Sequence, residues 1–314
     1  MVLAPGRTPV LNKQTKQEAR MSVHHPRRPF VRAAGLLACA SVLLLAACSV
    51  VRLAYNQSDT VVYLWLDRAF DLDHRQGNAL RRNVGQWFDW HRHTQLPVYA
   101  KFLERAEGEA KGPITPALAC ERRAEIEGWS RTALDHAIPM LARTVRGLDE
   151  GQLQHLSERM DKSNEEFRDK YLDEDPADRR EAATDFAVTW AERFYGDLDD
   201  SQRALLERQV AALPLNAQDV YDERVRLQRE LLQAFGQIVR GKATQEQAEA
   251  TLRDIARRNF DPPDPERHAR LDRWKAAGCQ LTATLHNTTT AGQRAEVAKR
   301  FDSWSEDLAL LSTE

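Results

Sequence analysis

Glycine is scarce in this chain, 14 of 314 residues, and no run of alternating β-branched residues reaches strand length. Both argue against a sheet-based fold, because strands need that alternation and their turns draw on glycine. Signatures of common chemistries are missing too. There is no Gly-x-Ser-x-Gly elbow, no His-Glu-x-x-His helix, no phosphate loop and no dinucleotide glycine motif. The paired Glu-x-x-His of a di-iron bundle is absent, and the plentiful carboxylates show no spacing that marks a glycosidase pair. No apolar run reaches the roughly 20 residues of a spanning helix. We therefore expect no cofactor and no metal, and catalysis is the weaker of two functional readings.

What is present begins with the phrase Leu45-Ala46-Ala47-Cys48, at the end of the apolar run 33–46 and behind the basic residues Arg27, Arg28 and Arg32. It looks like a bacterial lipobox, in which the thiol of Cys48 is acylated and the preceding peptide removed. Residues 1–20 are polar and suit no export signal, so Met21 is read as the start and 21–47 as a lipoprotein signal peptide. The segment from Arg27 to Arg32 is also similar to a twin-arginine signal, a route we place second. Serine at position 49, rather than aspartate, favours passage to the outer membrane. Three acyl chains would hold the protein there essentially permanently, since one alone binds marginally. The expected location is the outer membrane, lipid-anchored and facing the periplasm.

Removing residues 1–47 leaves 38 Lys and Arg against 46 Asp and Glu, a net charge of −8. That balance argues against nucleic acid as a partner and against electrostatic attraction to anionic lipid. The remaining 48–314 is rich in Ala, Leu, Arg, Glu, Asp and Gln, a helical composition. Cys120 and Cys279 both lie off the apolar stripes of their helices. In an oxidising periplasm they stand either as a disulfide, which we favour, or as two separate buried thiols. A bond would close a loop of roughly 160 residues, for which chain entropy suggests on the order of 5 kcal/mol as an upper figure.

One phrase recurs: Leu72-Asp73-x-x-Gln76, Leu148-Asp149-x-x-Gln152 and Leu198-Asp199-x-x-Gln202, with a weaker copy at Thr290-x-x-Gln293 and its polar half at Thr244-x-x-Gln247. It reads as a capping box, in which an Asp or Thr oxygen accepts from the first turn and the Gln reaches back to the cap's own N–H. Asp175-Pro176 and Asp264-Pro265 add starts with proline in the first turn. Apolar and aromatic stripes follow each start at helical spacing and suit a core. The expected fold is an all-α, extended bundle of about eight helices, several long, kinked near Pro97 and Pro139, with a sub-division near 175. The spacings between caps are unequal, so this is no solenoid.

The phrase is similar to the Leu-Thr-x-x-Gln motif of the Spy and CpxP periplasmic chaperones, although most copies here carry Asp. A second likeness spans 48–105, through Leu53-Ala54-Tyr55-Asn56, Tyr63-Leu64-Trp65-Leu66, the Asp71 to Gln76 segment and Trp90-His91-Arg92-x-Thr94-Gln95-Leu96-Pro97-x-Tyr99. This segment resembles an uncharacterised Gram-negative lipoprotein family known only as a domain of unknown function, and it extends more diffusely over the rest. The resemblance implies an acylated helical envelope protein and brings no catalytic residues. Where the family pattern has Glu before Leu-Pro, this chain has Gln95.

Among candidate sites, Asp67, Asp71 and His74 have no further ligand at metal spacing. Asp89 and His93 form an i, i+4 pair, while His91 points elsewhere and suits packing against Trp87 or Trp90. The simplest reading is a helix surface with one buried imidazole. The alternative gives Trp87, Trp90, His91, Arg92, Gln95 and Tyr99 a role in fixing conformation or binding a partner. Trp65 joins Trp87, Trp90 and Tyr99 in this aromatic-rich region. Function then divides into two classes: a non-catalytic envelope protein binding an unfolded chain or another envelope protein, and a cell-envelope hydrolase with an unrecognised site.

Overall fold

Most helices of this protein begin at a side-chain oxygen that accepts a first-turn N–H. The computed structural model describes residues 50–172, 175–214 and 216–314. In these the chain forms α1 (Val50–Asn56), α2 (Ser58–Phe70), α3 (His74–Thr94), α4 (Leu96–Ala110), α5 (Pro116–Arg146) and α6 (Glu150–Tyr171). It continues through α7 (Pro176–Tyr195), α8 (Asp200–Ala211), α9 (Ala217–Arg240), α10 (Gln245–Phe260), α11 (Pro265–Thr288) and α12 (Ala291–Leu311). The expected signal peptide, the start at Met21 and Cys48 itself lie outside the described residues. Val50 onward belongs to the compact unit Ser49–Glu314.

The bundle is all-α with long helices, but it has twelve helices among the described residues, not about eight. The shortfall has a physical cause. Pro97 does not kink one long helix; it stands in the first turn of a new one, where its missing N–H costs nothing. The stretch from 199 to 238 is two helices, because Asn216 forms its own capping box with Asp219. At Gln57, α1 gives way to α2 with no side-chain cap at all. Pro139, by contrast, sits inside the unbroken span of α5.

The Asp and Thr boxes at 73, 149, 199, 244 and 290 all form, with each cap oxygen accepting from the third helical residue. At four of them the glutamine does more than close its own box. Gln76 and Gln152 exchange reciprocal amide hydrogen bonds of 3.1 and 2.8 Å. Gln76 also donates to the Gly147 carbonyl, and Gln152 to that of Asp71. Gln202 and Gln293 repeat the arrangement, donating to each other and to the carbonyls of Thr288 and Asp197. Each glutamine thus satisfies a carbonyl two residues before the other helix's cap. Two helix starts are thereby joined in each lock, α3 to α6 and α8 to α12.

Two apolar clusters form among the described residues. The larger draws Leu66 and Phe70 of α2, Leu80 and Val84 of α3, Ile138, Ala142 and Val145 of α5, Leu153 and Leu156 of α6, and Phe235, Ile238 and Leu252 of α9 and α10. The smaller joins Val188 and Ala191 of α7, Leu198, Leu206 of α8 and Leu285 of α11. It starts with α7, after the boundary expected near 175, yet α9 and α10 return to the first cluster. Elsewhere α4 and α12 run against each other through small residues, Ala100 and Ala106 facing a helix with buried Val297, Ala298 and Ser305. Ser305 Oγ donates to the Ala100 carbonyl at 3.1 Å. Cys120 of α5 is bonded to Cys279 of α11, 159 positions apart.

Candidate functional site

Gln95 makes the geometry of the aromatic cluster. Its N–H caps α3 by donating to the His91 carbonyl at 2.9 Å, and its own carbonyl accepts from Val98 and Tyr99, both at 3.0 Å, to start α4. One residue thus turns the chain and brings Tyr99 back over His91. Its side-chain amide donates to Thr94 Oγ1 at 3.3 Å.

His91 sits half-buried at the centre. Its Nδ1 is 2.9 Å from the Tyr55 hydroxyl and its Nε2 3.5 Å from that of Tyr99. The ring stacks on Trp87 at 4.8 Å between centroids. Burial holds the His91 pKa down to about 4, and burial pushes Tyr55 up to about 12 against the opposing charge of Arg92. Tyr99 is raised by the same cause. All three are neutral near pH 7, so one hydroxyl donates to the imidazole and the other accepts from it.

The flanking residues are engaged as well. Arg92 donates to Asn56 Oδ1 at 2.7 Å, to the Leu311 carbonyl at 3.1 Å and to Glu314 at 3.2 Å. Its guanidinium lies 5.1 Å over the Tyr55 ring. Trp87 donates its indole N–H to the Ala133 carbonyl of α5 at 3.2 Å. Trp90 stacks on His136 at 3.7 Å, and these two with Arg131, Thr132 and Asp135 line a shallow depression of about 370 Å³. The structure therefore brings Trp87, Trp90, His91, Arg92, Gln95 and Tyr99 together, as a joint between α1, α3, α4, α5 and the end of α12. Tyr55 and His136 complete it. Tyr55 stood within the family-like segment, whereas His136 carried no sequence signal.

Other candidates separate. Asp71 closes α2 in the left-handed region with φ of 51°, His74 opens α3, and Asp67 lies back on α2. Among the described residues no group of three or more His, Cys, Asp or Glu side chains is placed to hold a metal ion. His93 and Asp89 pair at 3.6 Å on an exposed face. A second histidine joint escaped the sequence reading. His286 is buried, with Nδ1 3.1 Å from the Tyr195 hydroxyl and Nε2 2.8 Å from the Gly112 carbonyl.

Trp65 parts company with the other aromatics and is 67% exposed on α2. Phe186 and Trp190 on α7 are likewise exposed, at 62% and 46%, with ring centroids 6.2 Å apart. No helix among the described residues is long and apolar enough to cross a membrane.

A family model matches residues 68–259, more than half of the chain, and is described as a family of unknown function (DUF6279). No curated protein and no solved structure matches. The match takes in the whole run from Trp87 to Tyr99 and the Gln76–Gln152 lock. Tyr55 and Gln293 lie outside it. A lipoprotein character and a kinship with Spy or CpxP are not part of what the family description carries.

Proposed function

The chain belongs to this family of unknown function, and, there being no activity to inherit from it, we propose that the protein is a lipid-anchored envelope protein that works by binding. In this reading Cys48 is acylated, Ser49 directs the protein to the outer membrane, and the helical body faces the periplasm. The lipobox sequence supports the anchor, and the Cys120–Cys279 bond suits an oxidising compartment. The observation that carries binding is the exposed aromatic pair Phe186 and Trp190. Two large rings on the outward side of α7, Trp190 with the Arg193 guanidinium 4.7 Å from its centroid, offer an apolar segment of another envelope protein, or an unfolded chain, a ready contact. The His91 cluster supports the same reading, since both of its ring nitrogens already meet tyrosine hydroxyls of the same chain.

A photoreactive residue placed at 186 in the native envelope tests this. We expect a defined protein adduct that a polar control position such as Lys162 does not give, and that Trp190→Ser reduces several-fold. Equal labelling from both positions would contradict a binding face on α7.

A further inference from the structure

The first two helices are apolar on the side that faces the body and apolar again on the side that faces away. Leu66 and Phe70 enter the main core, and Tyr55 enters the histidine joint. On the opposite side Val50, Leu53, Val61, Leu64 and Trp65 are exposed, from 46% for Leu64 to 81% for Val50. Between the two helices the chain makes a single turn at Gln57, whose N–H bonds the Ala54 carbonyl at 3.3 Å, and α2 starts with the Val61 N–H on the Gln57 carbonyl at 3.0 Å. At 100° per residue these five positions, with Ala54 and Gln57, fall within an arc of roughly 120°. A helix resting on a soluble body normally turns its polar side outward. This one shows water an apolar stripe interrupted at its middle by Gln57.

We propose that this stripe is a membrane-contact surface, and that α1 and α2 lie along the lipid interface with their outer face among the headgroups and upper acyl chains. The proposal rests on the acylation of Cys48. Val50, the first residue of the stripe, is the second after Cys48, so an acyl-anchored Cys48 leaves no linker between bilayer and stripe. The anchor fixes one end at the lipid surface, and the 21 or so residues of α1 and α2 extend about 30 Å from it. Contact along that length follows the pattern of an interfacial helix, whose apolar face enters the headgroup boundary by about 5–10 Å. Trp65 near the far end suits that depth, with an apolar ring and a polar N–H. Arg68, exposed and on the same line, follows where a guanidinium can meet lipid phosphate.

The test uses the mature acylated protein in phosphatidylethanolamine–phosphatidylglycerol vesicles whose acyl chains are brominated near the headgroup. Bromine quenches indole emission only at contact distance. We expect quenching relative to unbrominated vesicles, and at least a two-fold loss of the quenched fraction in Trp65→Phe. Val61→Asn combined with Leu64→Asn should also reduce quenching, with acylation unchanged; both residues are exposed, so folding is retained. Unquenched Trp65 in a protein verified by mass as acylated overturns the proposal and leaves the anchor intact. A Trp65 emission shielded from lipid, together with a doubled mass in solution, overturns it in favour of a second copy on the stripe. An unmodified Cys48 removes the anchor reading itself and the proposal with it.

Discussion

A glutamine amide is donor and acceptor at once, and Gln202, 1% exposed, uses both ends. Its Oε1 accepts from the Asp199 N–H and from Gln293, while its Nε2 donates to the Thr288 carbonyl and to Gln293. A carboxylate has the same shape but cannot donate. Gln202→Glu should therefore cost at least as much as Gln202→Ala, about 1–3 kcal/mol by reversible denaturation at pH 7, because each leaves buried partners unsatisfied. A glutamate variant as stable as wild type would mean that the donors at this position are unused. His91 predicts a pH dependence of definite sign. Its pKa falls from 6.5 in the unfolded chain to about 4 when folded, through burial. In that window the unfolded chain binds a proton the folded one refuses, so His91's contribution is complete above pH 6.5 and is lost as pH falls toward 4. Lowering the pH from 7.5 to 5 should reduce the denaturation midpoint, and His91→Gln should shrink that drop. Burial lowers His286 in the same direction, so part of the drop persists in the variant. An unchanged pH response on replacing His91 would contradict its neutral, buried state.

At the scale of the helix, capping sets the boundaries. Removing the cap oxygen exposes first-turn amides, so Asp149→Ala and Asn216→Ala should each cost about 0.5–2 kcal/mol in reversible denaturation; wild-type stability in both would show that these oxygens do not cap. The two differ in how visible they were. Asp149 announced itself by the repeated phrase with a glutamine three residues on. Asn216 has aspartate in that place and sits behind Pro214, so the break read as an interruption within one helix. Gln57 and Gln95 were harder still, because neither gives a side-chain hydrogen bond to the helix it starts. Helix starts built by side chains are legible, and breaks built by backbone turns alone are not. The same limit applies to the site. Periodicity set His91 one turn beyond Trp87, and Tyr99 was grouped with them through the family-like segment, but the Gln95 turn that folds Tyr99 over His91 has no local signature. Trp65 was grouped with them for proximity in sequence. Because α2 is apolar on both faces, periodicity could not tell which face looks outward.

At the scale of the molecule, the chain closes on itself at several distant points. The Gln202–Gln293 lock spans 91 positions, Arg92 reaches the carbonyl of Leu311, and Cys120 is bonded to Cys279. The pairing of α5 with α11 by the disulfide limits the unfolded chain; chain entropy for so long a loop gives on the order of 5 kcal/mol as an upper figure, where disulfides typically deliver about 2–4 kcal/mol. Such long-range ties suit a body that would keep its shape under the proposed attachment of one end to a membrane. The proposed function rests on the acylation of Cys48. Mass spectrometry of the N-terminal peptide of the protein purified from its native envelope tests it most directly. The account predicts a peptide that begins at Cys48 and carries a thioether-linked diacylglyceryl group with an amide-linked acyl chain. A free thiol at Cys48, or a mature N-terminus at any other residue, would contradict it.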